Sequence, residues 1–176
     1  LLIWLLKGLS FYGVPARAQG ISELRTDRFV AEALFATITN ANFDPDRFVA
    51  LIQEAVARRD ALAARVALPA GTPRPAMATW APAEGSVDEL VAQGMMVGVL
   101  ADPNLHPDIR SLRGLIVYGL KGMAAYADHA YVLGYRDDAI LTFTQEALLA
   151  TMDDAATADD LVQMVLRCGQ MGVRAM

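Results

Sequence analysis

Residues 1–20, LLIWLLKGLSFYGVPARAQG, decide how the rest of the chain is read. An apolar run followed by a small-residue "ARA" ending at Ala18 has the form of a secretory signal peptide. It also has the form of a first helix, with Leu2, Leu5, Leu6, Leu9 and Tyr12 at helical spacing. The choice is made by residues 115–134, LIVYGLKGMAAYADHAYVLG. Leu1, Leu6, Lys7, Gly8, Tyr12, Ala16 and Gly20 recur there as Leu115, Leu120, Lys121, Gly122, Tyr126, Ala130 and Gly134. The same spacing lays FVAEALFATI (29–38) over FTQEALLATM (143–152), and DRFVALI (46–52) over DLVQMVL (160–166). A secretion signal has no cause to recur in mid-chain. The opening is therefore read as a helix, and a chain that starts at Leu1 is read as a piece of a longer one.

Each copy of the repeat carries three helical patterns. In the first, Gly20 is placed to end a helix as its C′ residue. Residues 27–39 form a second helix that buries Phe29, Ala33, Leu34 and Ile38. Asp44-Pro45, an N-cap acid before a proline at the first helical position, starts a third that runs up to Pro69. In the second copy Thr157 takes the capping role, with Asp159 and Asp160 favourable to the helix dipole. Between the copies, LPAGTPRPAMATWAPAEG holds Pro69, Pro73, Pro75 and Pro82, which forbid a regular helix. Trp80 in that stretch is read as a packing anchor. Residues 86–100 form a short helix fraying at Gly94 and Gly98, and Pro107 opens the next. The expected fold is all-α: two tandem three-helix bundles (1–68 and 107–176) related by the internal repeat and joined by a Pro-rich linker (69–106).

Composition agrees with a helical reading. Hydrophobic residues make up 55% of the 176 and aromatics only 7%, a poor mixture for a sandwich or barrel. A net charge of −5 gives no basic face for phosphate, so nucleic acid is not expected as a partner. No apolar run reaches the roughly 18–20 residues that span a bilayer; the opening run meets Lys7 after six residues. One cysteine, Cys168, leaves no disulfide framework and points to a reducing, cytoplasmic compartment.

Candidates for chemistry are few. GLKG (119–122) lacks the preceding strand and the Lys-Ser/Thr pair of a phosphate loop. Gly119 and Gly122 are better explained by the close approach of another helix, since glycine inside a helix costs about 1 kcal/mol relative to alanine. Lys7 and Lys121 are expected to send their ammonium groups outward over apolar stems. Asp137, Asp138, Asp153, Asp154, Asp159 and Asp160 fall in turns and first turns, where they cap. Glu32 and Glu146 sit in a repeated "EAL", but neither has the histidine three residues on that a di-iron bundle needs. His106, His129 and Cys168 lie on separate segments, without the close pairing of structural zinc sites. Cys168 is read as a small buried hydrophobe. No catalytic, cofactor-binding or metal-ligating residue is assigned.

DIRSLRGLIVYGLKGMAAYADHAYVLG (108–134) resembles the helical region of the hybrid-cluster proteins, also called prismane proteins or hydroxylamine reductases. LLIWLLKGLSFYG, EALFATITNANFDPDRF and LVQMVLRCGQMGVRAM agree with that family in the same order. The resemblance covers all but the Pro-rich linker. It implies a much longer parent, a reductase of hydroxylamine to ammonia to which nitric oxide reduction is also attributed. That chemistry would run on a hybrid iron–sulfur–oxygen cluster with a [4Fe-4S] or [2Fe-2S] relay cluster. The resemblance places the relay cysteines before this stretch and the hybrid-cluster ligands in two later α/β domains, so no ligand carries over onto a residue here. The implied partners are those cluster-binding domains and a redox partner of the parent. The helical domain of a carbon monoxide dehydrogenase is the alternative within the superfamily, and a stand-alone helical interaction module the alternative outside it.

Overall fold

The computed structural model describes residues 1–21, 24–39, 44–97 and 104–176. Its helices are α1 (Leu2–Ala18), α2 (Leu24–Thr39), α3 (Pro45–Ala63), α4 (Val87–Val97), α5 (Pro107–Val132), α6 (Asp138–Ala150) and α7 (Ala158–Ala175), with a single 3-10 turn at Ala76–Ala78. No strand occurs among the described residues. The fold is all-α. No described helix is long and apolar enough to cross a membrane.

The helix ends are written in local chemistry. Asp44 accepts from Arg47 N at 2.9 Å, with Pro45 opening α3. Thr157 and Asp160 form a reciprocal capping box on α7, and Pro107 opens α5. The repeat shows in two matching C-termini. Gly20 (φ 72°) and Gly134 (φ 89°) are left-handed. Ile21 N donates to Ala16 O and Tyr135 N to Ala130 O, both at 2.9 Å, while Gly20 N and Gly134 N donate to Arg17 O and Tyr131 O. Each is a Schellman closure, which needs the φ that glycine adopts without steric cost.

Leu2, Leu5, Leu6, Leu9 and Tyr12 are all buried, as their spacing predicts. Four expectations fail in detail. α2 begins at Leu24, not 27, and Ile38 is half exposed because no described element covers the last turn of that helix. α3 stops at Ala63, short of Pro69. The reason is tertiary: the Gln19 side chain takes both backbone groups of Ala67, donating to its O at 2.7 Å and accepting from its N at 3.1 Å. That pairing holds Ala67 outside the helix. α4 is unbroken at Gly94; Gly98 lies outside the described residues.

α1 packs on α3 as α5 packs on α7, and α1 lies on α6 as α5 lies on α2. α2 and α6, equivalent in the two copies, also meet each other. One apolar cluster runs through all of it, from Leu5 and Leu34 to Ile116, Leu120 and Leu148.

Candidate functional site: a polar junction between the repeats

The residues singled out for chemistry are dispersed. His106 caps the N-terminus of α5, its Nδ1 accepting from Asp108 N at 3.3 Å. His129 lies near the other end of the same helix, edge-on to Phe35 at 5.2 Å. At 1.5 Å per residue the two are about 35 Å apart along the axis. Cys168 sits buried at the α5–α7 seam, where a Cβ on Gly119 would stand 3.6 Å from its own. These three do not converge. Burial pushes the Cys168 thiol up to about 11 against the opposing charge of Arg167, which makes it a poor nucleophile or ligand.

The carboxylates are held in pairs and caps. Glu32 pairs with Arg28 at 2.5 Å and Glu146 with Arg167 at 3.1 Å. Arg28 also stacks 3.6 Å over the Tyr131 ring. Asp137 caps α6 and pairs with Arg174, whose hydrogen bond holds its carboxyl below the usual range. Asp138 meets Arg136, and Asp154 meets Arg113. Among the described residues no group of three or more His, Cys, Asp or Glu side chains could hold a metal ion.

Lys7 departs from the expectation of an outward ammonium group. Lys7 is half-buried, and burial together with the nearby charge of Arg113 pulls its ammonium down to about 8. Lys121 is lowered by burial as well and lies 5.5 Å over the Tyr118 ring. The cause at Lys7 is that α1 is enclosed by neighbours, which a single-helix reading cannot see.

The structure gathers a polar cluster that the sequence did not announce. Asp27 at the start of α2 is 8% exposed. Its Oδ1 accepts from Gln145 Nε2 on α6 at 2.5 Å and pairs with Arg17 on α1 at 2.9 Å. Gln145 lies over Gly13, where a Cβ would overlap its amide oxygen. A shallow cleft beside it, lined by Arg17, Ile21, Thr26 and Asp27, opens to solvent. A second buried ion, Arg59, donates to Met77 O at 3.1 Å and Trp80 O at 2.5 Å, and pairs with Asp60. Trp80 packs edge-on to Trp4 at 6.0 Å. Only the pairing of Arg17, Asp27 and Gln145 across three helices makes them a unit, and no local motif in the sequence signals it.

These charges are held in ion pairs, caps and buried clamps on an all-helical framework. The whole chain, residues 1–176, matches the family described as Prismane/CO dehydrogenase family, and the chain belongs to it. Hydroxylamine reductase of Desulfitobacterium hafniense (strain DSM 10664 / DCB-2) is 48% identical over 180 residues, which cover 100% of this chain and 32% of the relative. Hydroxylamine reductase of Syntrophobacter fumaroxidans is 45% identical, covering 100% of this chain and 33% of the relative. That of Methanosarcina mazei is 43% identical over 98% of this chain. The chain thus spans about a third of the length of these relatives. An iron–sulfur cluster of the kind the resemblance implies is held by about four thiolates. One buried cysteine with a raised thiol does not fit it.

Proposed function

We propose that this chain is the helical scaffold region of a hybrid-cluster protein whose parent reduces hydroxylamine. The observation that carries the reading is the match along the full chain to relatives named hydroxylamine reductase. In this reading residues 1–68 and 107–176 act as two copies of one three-helix unit, and 69–106 links them. The parent takes hydroxylamine, two protons and two electrons to ammonia and water. The electrons pass through a relay cluster of the [4Fe-4S] or [2Fe-2S] type to a hybrid iron–sulfur–oxygen cluster, both bound by other regions of the parent. This chain contributes no catalytic, cofactor-binding or metal residue. Its role is to seat the cluster-bearing domains and screen them from water. The exposed Val87, Val91 and Met95 stripe of α4 supports that role, since it offers apolar surface to a partner. A redox partner serves the parent, which works in the cytoplasm and needs neither nucleic acid nor membrane.

The test is anaerobic purification of this chain with iron, acid-labile sulfide and visible absorption measured together. A colourless, iron-free, strongly helical protein supports the scaffold. Stoichiometric iron overturns it. The family description also names carbon monoxide dehydrogenase, so the full-length parent is assayed for both reactions: turnover of carbon monoxide without hydroxylamine reduction selects that second reading.

A further inference from the structure

The two copies of the repeat are covered unequally. In the first, one stripe of α1 carries Trp4, Gly8 and Tyr12, with the N-cap Leu1 in line with them. The segment after α3 lies across it. Trp80 packs edge-on to Trp4 at 6.0 Å, and Tyr12 Oη donates to Ala78 O at 3.3 Å. The Met77 carbonyl rests so close to Gly8 that any Cβ there would overlap it. The same spacing puts Leu115, Tyr118, Gly122 and Tyr126 on the equivalent stripe of α5. Leu115, Tyr118 and Tyr126 are each more than half exposed, and no described atom lies within 4 Å of a Cβ built on Gly122. An uncovered glycine in mid-helix and a row of exposed large apolar side chains both lack a cause among the described residues.

We propose that the segment following α7 in the longer parent crosses this stripe of α5 as residues 76–80 cross α1. It lies at the same chain distance past α7 as residues 76–80 lie past α3. A backbone carbonyl of that segment rests on Gly122, another accepts from Tyr126 Oη, and an apolar side chain packs on Tyr118. One anchor differs. Counted from the caps Asp44 and Thr157, Arg59 falls on Gly172, so the guanidinium that clamps Met77 and Trp80 has no counterpart. Contact with the α5 stripe therefore holds the second crossing with less help from α7. The proposal needs the longer chain of the relatives, not the reaction assigned to them.

The experiment uses the full-length parent with Tyr118 replaced by the photocross-linker p-benzoylphenylalanine, and the same replacement at the exposed Tyr135 as control. Illumination and mass mapping are expected to join position 118 to the segment directly after α7. A cross-link to any other part of the chain or to a second copy overturns the proposal, as does a yield no higher than at position 135. In parallel, Gly122→Ala and Tyr126→Phe are expected to speed protease cleavage of that segment several-fold. An unchanged cleavage rate in both variants overturns the proposal too. Neither readout uses turnover, so failure of the hydroxylamine reading leaves both interpretable.

Discussion

Lys7 shows how a residue acquires its chemistry from its surroundings. Its folded ammonium titrates near 8, against an ordinary 10.5, because burial and Arg113 oppose the charge. Below pH 8 the group is charged in both folded and unfolded chains, and the whole burial penalty weighs on the fold. Between about 8 and 10.5 the unfolded chain binds a proton that the folded chain has released, so this group makes stability rise with pH. Cys168 works in the opposite sense. Its thiol is raised from 9.0 to about 11, so the stability it lends is whole below 9 and lost as pH climbs through 11. Comparison of Lys7→Met with the parent sequence isolates the lysine. The variant is expected to have the higher urea midpoint at pH 7, with the difference closing by pH 10.5. A difference independent of pH would contradict the buried ammonium.

At the scale of the element, ends are local and lengths are not. The N-caps Asp44 and Thr157 and the glycine closure at Gly20 were legible because each satisfies orphan backbone groups with residues three to five positions away. Thr157→Ala removes the hydroxyl that accepts from Asp160 N in the capping box on α7, and leaves the bond from the backbone N–H of position 157 to the Asp160 carboxylate. It is expected to cost about 1 kcal/mol, read as a lower urea midpoint, whereas Thr157→Asp should keep most of the stability. The end of α3 was not legible. Gln19 and Ala67 are distant in sequence, and their paired hydrogen bonds take Ala67 out of the helix that propensity would continue up to Pro69. Ile38 was misread for a related reason: helical spacing gives a face but not where along the helix the cover stops.

Across the whole molecule the repeats interlock. α1 lies on α6 and α2 on α5, so neither copy closes its core alone. The chain is therefore expected to unfold as one cooperative unit, and its two tryptophans, Trp4 and Trp80, offer a clean test because both precede the second copy. Leu120→Ala, in the fully buried middle of α5, removes roughly 2–5 kcal/mol. Tryptophan fluorescence and far-ultraviolet circular dichroism should then shift together, with coincident midpoints. A tryptophan midpoint unmoved by Leu120→Ala would mean the copies melt separately. The sequence by itself determined the helical class, the caps and the family resemblance, because each rests on spacing or on contacts a few residues apart. Tertiary structure alone decided the junction of Arg17, Asp27 and Gln145, the clamp of Arg59, the depressed Lys7 and the uneven cover over Gly8 and Gly122. Those depend on which surfaces meet across distant parts of the chain, and a stripe at helical spacing records only that a face is apolar, not what lies on it.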